Sequence, residues 1–186
     1  MGGDADVATE SPRVRPARVA DAGGIAAVYN AHVASGRATF DVRPWQAAAV
    51  AELLRVPPPD GWYVAESGSA VVGWASARRF SDRHGFRHSC ETAIYLADSA
   101  IGRGIADRLQ AAIERHCLSH RLHHAVAKVI ADNHRSLKFH QRHGYEHVGV
   151  QRQIGRLQGR WVDLVILQRL FPLTDPDDEK PIRKGV

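Results

Sequence analysis

The sequence has few cysteines, no long apolar run and no dense run of basic residues, and each of these absences excludes a class of protein. Its two cysteines, Cys90 and Cys117, cannot form the disulfide framework of a small secreted domain. No apolar run approaches the roughly 18 residues that a membrane-spanning helix requires. The first ten residues are small and polar and lack an apolar segment, so we expect no secretory signal and a cytoplasmic protein.

The net charge of the chain is positive, and its distribution along the sequence indicates the kind of partner. A net charge of +5 and a pI near 9.6 would suit a protein that binds nucleic acid. However, 20 acidic residues are spread among the 25 basic ones, and no basic run is present that would track a phosphate backbone. We therefore expect no nucleic-acid partner and no membrane partner, and a basic surface that serves anionic small molecules.

With 44% hydrophobic residues, the chain can build one folded domain, which we place at 13–171 between flexible tails at 1–12 and 172–186. The order of the predicted elements indicates an α+β fold with a mixed sheet. The predicted strands span 14–18, 62–66, 70–77, 89–97, 125–130, 145–153 and 161–168. The predicted helices begin near Asp21, Pro44, Gly104 and Asn133, and the last one ends at Gly144.

The segment most informative about chemistry is A-D-S-A-I-G-R-G-I-A (97–106), which joins a predicted strand to a predicted helix. Small residues at 102, 104 and 106 let a ligand approach the main chain. The free N–H groups and partial positive charge of a helix start suit an anionic phosphate. The segment is not a Walker loop, since no Gly-Lys-Ser/Thr follows, and Asp107 breaks the G-x-G-x-x-G pattern.

A second motif, N-H-R-S-L-K-F-H-Q-R-H-G-Y at 133–145, has Asn, Ser, His and Gly-Tyr at fixed offsets. Together with G-R-G-I-A it resembles the acetyl-CoA-binding core of the GNAT superfamily of N-acetyltransferases. The segments 38–40, 83–95 and 159–164 are similar to the phosphinothricin and methionine sulfone N-acetyltransferase family. This resemblance, over about residues 13–171, implies a GNAT-type acyl-CoA N-acyltransferase fold with a mostly antiparallel central sheet flanked by helices. It also implies acetyl-CoA as co-substrate, a small-molecule amine as acceptor and a homodimer.

The resemblance implies a general base at Glu91 and a histidine near the CoA sulfur at His140. The chemistry independently needs such groups, since an ammonium must lose a proton before it attacks a thioester, and a histidine that titrates near neutrality suits the leaving thiolate. The residues expected to contact CoA are Tyr95, Leu96, Ala97, Gly102, Arg103, Gly104, Ile105, Ala106, Asn133 and Ser136. The residues expected at the acceptor are Phe40, Arg83 and Phe86, with the guanidinium fork of Arg83 matching acidic oxygens.

Each role has a plainer alternative. Glu91 would otherwise be a solvent-facing strand carboxylate, His140 a surface or interface histidine, and Arg83 a solvated loop arginine, while both phenylalanines would simply pack in the core. Four histidines at 116, 120, 123 and 124 lack acidic or cysteine partners at matching spacing, so we expect no metal.

The departures from the family pattern leave two other functions open. The first is a GNAT enzyme that acetylates a polyamine, an antibiotic or a protein N-terminus. The second is a non-catalytic acyl-CoA-binding module, which Ile101 favours because the superfamily usually has Gln or Arg at that position.

Overall fold

The computed structural model describes residues 12–172, so nearly all of both predicted tails lies outside the described residues. Within this range, seven strands form one sheet and four α-helices pack on it. The strands are β1 Arg13–Pro16, β2 Gly61–Ser67, β3 Ala70–Arg79, β4 Ser89–Leu96, β5 His124–Ile130, β6 Glu146–Leu157 and β7 Arg160–Leu170. The helices are α1 Ala22–Ser35, α2 Ala47–Arg55, α3 Ile105–Ser119 and α4 His134–Arg142. None of these helices has the length and apolar character needed to cross a bilayer.

The sheet has the order β1-β2-β3-β4-β5-β7-β6, and one pair of neighbours, β4 and β5, is parallel. This pair is joined over three residues only, with Glu91 opposite Val126 as the last partners. Beyond them the two strands separate. Helix α3 follows the carboxyl end of β4, and α4 follows that of β5, so both helices begin beside the gap.

Strand alternation divides the buried side chains into two main cores, one on each face of the sheet. One core packs against α3 and contains Ala77, Cys90 and Leu109. The other packs against α1 and α2 and contains Trp62 and Trp74. Cys90 is fully buried in the first core, on the face opposite Glu91.

Helix α2 and the β6–β7 hairpin differ from their predicted boundaries, and each difference has a local cause. Helix α2 begins at Ala47 rather than at Pro44, because the side-chain amide of Asn30 bonds both the N–H and the C=O of Trp45 and holds that residue outside the helix. The β6–β7 hairpin turns at Gln158-Gly159 alone, so both strands are longer than predicted. Both residues have positive φ, the conformation of the tightest hairpin turns.

Candidate active site

A cleft of about 1480 Å³ opens where β4 and β5 separate. Its walls come from these two strands, from the first turns of α3 and α4, and from the segment that joins α1 to α2. A drug-sized ligand usually occupies about 300–1,000 Å³. The cleft therefore has room for a nucleotide-sized ligand together with a small second molecule.

The residues 101–104, which we call the glycine turn, lead from β4 into α3 along this cleft. Gly102 and Gly104 have φ of +77° and +69°, in the left-handed region that side chains disfavour. A Cβ added to either glycine would meet no atom within 4 Å, so the turn borders open space. In the described part of the chain, the N–H groups of 102–104 donate to no backbone acceptor, and the first N–H groups of α3 have no partner inside the helix. The turn thus presents donors and partial positive charge to the cleft.

The start of α4 forms the opposite side of the cleft. Asn133 caps this helix, since its Oδ1 accepts the N–H of Ser136 at 3.1 Å. Both residues line the cleft, and the side-chain amide nitrogen of Asn133 remains available to a ligand. Two helix N-termini therefore flank one opening, which favours an anion between them.

The end of β4 supplies part of the cleft wall. Tyr95 and Leu96 line the cleft. The C=O of Leu96 accepts a hydrogen bond from His32 Nε2 at 2.8 Å. Ala97, which was predicted to contact CoA, does not line the cleft, and its N–H donates to the C=O of Val72 at 2.9 Å. Arg103 is exposed and is also absent from the cleft wall.

Glu91 stands at the point where the strands separate. Its carboxylate is 29% exposed, lies on the face that carries α1 and α2, and borders the cleft. Lys128 on β5 donates from Nζ to Glu91 Oε2 at 2.7 Å. Arg78 on β3 is the cross-strand neighbour of Glu91 and also lines the cleft. The carboxylate thus has a cation on each neighbouring strand.

His140 lies at the inner side of α4, where it is buried yet lines the cleft. Its Nδ1 donates to the C=O of Ser136 at 2.8 Å, since a carbonyl can only accept. Burial lowers the pKa of His140 below its usual value, so the ring is neutral at pH 7 and Nε2 keeps its lone pair. Tyr145, whose ring packs edge-on at 5.0 Å, has its pKa raised by burial to about 12. The role of His140 near the CoA sulfur stays a prediction.

The three residues predicted at the acceptor separate in space. Phe40 lines the cleft and packs with Ile130, Leu157 and Val162, and its ring occupies the place where a Cβ on Gly155 would lie. This packing ties the segment between α1 and α2 to the β6–β7 hairpin.

Arg83 and Phe86, by contrast, lie on an exposed segment around a 3-10 turn and do not border the cleft. The Phe86 ring instead packs edge-on against Phe80 at 5.4 Å. Their roles at the acceptor stay predictions that the fold of this single chain does not favour.

The family follows from sequence comparison. Residues 25–145 match the acetyltransferase (GNAT) family. The chain belongs to this GNAT family. It is 32% identical over 166 residues to a phosphinothricin N-acetyltransferase of Streptomyces coelicolor, with 87% of this chain and 97% of the relative covered. It is 30% identical over 161 residues to an L-methionine sulfoximine/L-methionine sulfone acetyltransferase of Pseudomonas aeruginosa, with 85% and 94% covered.

A solved structure of a GNAT superfamily phosphinothricin acetyltransferase from Sinorhizobium meliloti, in complex with AcCoA, has a similar fold. The TM-score is 0.82 at 28% identity, and 94% of this chain and 95% of that chain are covered. The predicted GNAT-type fold is thereby confirmed, and the protein is an N-acetyltransferase.

Arg78 and Lys128, the two charged residues of the cleft beside Glu91, were not predicted from the sequence. Each had a signal. Lys128 is the only charged residue in the otherwise apolar strand A-V-A-K-V-I. Arg78 follows Trp74 and Ser76 at a spacing of two, which places all three on one face of β3.

The histidines at 116, 120, 123 and 124 have other partners in the structure. His116 bonds Pro59, His123 bonds Phe171, and the rings of His116 and His120 stack at 4.2 Å. Among residues 12–172, no three metal-ligating side chains are placed to hold an ion together. The expectation that no metal is needed stays a prediction.

Proposed function

We propose that this enzyme transfers the acetyl group of acetyl-CoA to the α-amino group of a small amino-acid-like acceptor of the methionine sulfone, methionine sulfoximine or phosphinothricin type. Three findings support the proposal: the activities for which the two relatives are named, the AcCoA in the similar structure, and the geometry of the cleft. The observation that carries it is the position of Glu91, whose carboxylate borders the cleft at the last paired residue before β4 and β5 separate.

The residues present fit acetyl-CoA, which supplies an activated acetyl thioester. The unpaired N–H groups of the glycine turn and the start of α3 suit the pyrophosphate, and Ile105 and Ala106 continue that wall. The side-chain amide of Asn133 and the hydroxyl of Ser136 offer polar contacts from α4. Beyond Glu91, the main-chain groups of β4 that face the gap have no strand partner among residues 12–172 and can bind the rest of the co-substrate, including the thioester oxygen.

Glu91 is the group proposed to prepare the nucleophile. An α-amino group is mostly protonated at neutral pH, and its lone pair is needed to form the C–N bond. A carboxylate oxygen of Glu91 accepts one ammonium proton, directly or through one water. Lys128 holds Oε2, so Oε1 is the oxygen left to face the acceptor.

His140 then has a part in the second proton transfer. When the C–N bond forms and the C–S bond breaks, the nitrogen loses a proton and the sulfur leaves as a thiolate. Because His140 is neutral and donates from Nδ1 to Ser136, its Nε2 lone pair can accept that proton and return it to sulfur. His140 is thus proposed as a proton carrier between the nitrogen and the sulfur.

The test is thiol release from acetyl-CoA with a panel of amines: methionine sulfone, methionine sulfoximine, phosphinothricin, spermidine and a peptide with a free N-terminus. We expect kcat/KM for at least one of the three amino-acid-like acceptors to exceed that for spermidine and the peptide by about tenfold or more, which corresponds to about 1.4 kcal/mol. Acetyl-CoA binding without thiol release for any amine would instead identify a non-catalytic binding module. A homodimer in the cytoplasm belongs to the same proposal, and sedimentation velocity tests the dimer.

A further inference from the structure

Three charged side chains lie side by side on three neighbouring strands of the sheet. Arg78 on β3 is opposite Glu91 on β4, and Lys128 on β5 lies two residues beyond the partner of Glu91. Their neighbours Ala77, Cys90 and Ala127 belong to the core under α3, so alternation puts all three charges on the other face. All three border the cleft. We call Arg78, Glu91 and Lys128 the charged row.

The members of the row are paired unequally. Lys128 bonds Glu91 Oε2 at 2.7 Å. Arg78 has no carboxylate partner in the described part of the chain, and its guanidinium carbon lies 6.0 Å from the centre of the Trp62 ring. The row therefore offers one open carboxylate oxygen next to one open guanidinium, with a net charge of +1.

We propose that the charged row recognises the two charges of an α-amino acid, with Arg78 binding the acceptor carboxylate while Glu91 receives its ammonium group. Lys128 acts as a positioning residue that fixes the Glu91 carboxylate. The inference rests on the proposed function and deepens it. An α-amino acid carries both charges on one carbon, and cross-strand neighbours have Cβ atoms only about 4.5–5.5 Å apart. Arginine also suits the site because its fork matches both oxygens of a carboxylate.

Two other arginines of the cleft already have acidic neighbours. Arg142 pairs with Asp107 at 2.8 Å, and Arg160 lies 4.0 Å from Asp132. Arg83, which the sequence favoured for acidic oxygens, does not reach the cleft wall. Arg78 is the arginine that is next to Glu91 in the sheet and lacks an acidic partner among the described residues.

The experiment compares L-methionine sulfone with its carboxamide, which keeps the amine and the side chain but lacks the carboxylate charge. For the unaltered enzyme we expect kcat/KM to favour the acid by about tenfold or more, since a hydrogen bond to a charged group contributes on that order. Arg78→Gln should remove most of this preference by raising KM for the acid, with the amide changed by less than about threefold. Arg78→Lys should restore part of it.

The matched control is Arg79→Gln. Arg79 is the next residue on β3, points to the opposite face and bonds Asp60 at 3.1 Å. Its loss removes the same charge without touching the row, so the preference for the acid should persist. This separates a specific contact from a general effect of charge or stability.

Lys128 is tested by a different readout. Because it acts through Glu91, Lys128→Met should lower kcat for the acid and the amide by the same factor, and Lys128→Arg should restore it. Two results would overturn the inference and leave the proposed function standing. In the first, the unaltered enzyme acetylates methionine sulfone but does not prefer it to the amide. In the second, Arg78→Gln lowers kcat/KM for both acceptors equally. An enzyme that acetylates spermidine and no α-amino acid overturns both.

Discussion

The two sides of the cleft offer different parts of the chain to a ligand. On the α3 side, the glycine turn presents main-chain N–H groups, and Gly102 and Gly104 carry no side chain at all. On the side of α1 and α2, the charged row presents side chains, with Lys128 bonded to Glu91. A phosphate-rich co-substrate needs only donors and positive potential, which any sequence with the right backbone can supply. An acceptor with a particular arrangement of charges needs particular side chains.

This difference suggests how the enzyme can vary its acceptor while keeping its co-substrate. Side chains of the charged row can change without altering the backbone of β3, β4 and β5, whereas the positive φ values of the glycine turn tolerate few changes. We therefore expect substitutions on the two sides to have separable effects, and the following experiments test that separation.

The largest effect is expected for Glu91→Gln. The amide keeps the size of the side chain but cannot accept the ammonium proton, and general-base catalysis typically contributes about 10²–10⁴-fold. We expect kcat to fall by about a hundredfold or more at neutral pH, while the dissociation constant for acetyl-CoA stays within about twofold. Thiol release and isothermal titration of acetyl-CoA measure the two quantities.

Glu146→Gln is the matched control, because Glu146 is an exposed glutamate on the edge strand β6, outside the cleft wall. It should leave both quantities unchanged. Full turnover in Glu91→Gln would remove this residue from the mechanism. Weakened acetyl-CoA binding in the same variant would show that the two sides of the cleft are not separable.

A smaller effect, on acetyl-CoA binding at the α3 side of the cleft, is expected for Gly104→Ala. Residue 104 has φ of +69°, which costs an L-residue about 1–2 kcal/mol, so the glycine turn should relax away from its present shape. We expect KM for acetyl-CoA to rise about tenfold and kcat at saturation to change little, since only binding is affected.

Gly68→Ala controls for the strain itself. Gly68 has φ of +59° in the turn between β2 and β3, has open space around it and lies outside the cleft wall. Both variants should lose a similar free energy of unfolding, measured by urea denaturation, but only Gly104→Ala should lose affinity for acetyl-CoA. Equal KM values in the two variants would argue against a role for the glycine turn in binding.

The contrast between the main-chain donors of the glycine turn and the side chains of the charged row also explains which parts of the cleft the sequence could predict. Glycine spacing and the apolar period after Gly104 are local signals, so the turn, α3 and the main-chain half of the cleft were predictable. The contribution of Arg78 depends on its register opposite Glu91, which arises from pairing between β3 and β4. No local sequence pattern predicts that register. The resemblance therefore indicated Arg83, on the exposed segment before β4, as the arginine at the acceptor.

His140 shows a second limit of sequence reasoning. Its position in the cleft was expected from the resemblance, but its protonation depends on burial between α4 and Tyr145, which only the assembled fold creates. The start of α2 is a similar case, because it depends on the contact between Asn30 and Trp45, fifteen residues apart. Local propensity identifies such elements, and tertiary contacts then set their ends and charges.

The smallest expected effect is on the pH dependence of stability, and it is tested by comparing His140 with His116. His116 is a buried histidine of α3 outside the cleft wall that bonds the C=O of Pro59 at 2.8 Å. Burial lowers the pKa of both, so both rings stay neutral in the folded chain below pH 6.5, where the unfolded chain binds a proton. Their contribution to the free energy of unfolding is complete above about pH 6.5 and declines as the pH falls towards the folded pKa.

Urea unfolding followed by circular dichroism at pH 7.5, 6.5 and 5.5 measures this decline. The carboxylate of Asp21 does not interfere, because the Arg15 guanidinium holds the pKa of Asp21 below its usual 3.8, outside this window. His116→Gln and His140→Gln should each reduce the dependence on pH, although both lower the stability at pH 7.5. Only His140→Gln should also slow acetyl transfer, because only His140 borders the cleft. If neither variant flattens the pH dependence, the two rings are not held neutral by burial, and the proton-carrier role of His140 loses its basis.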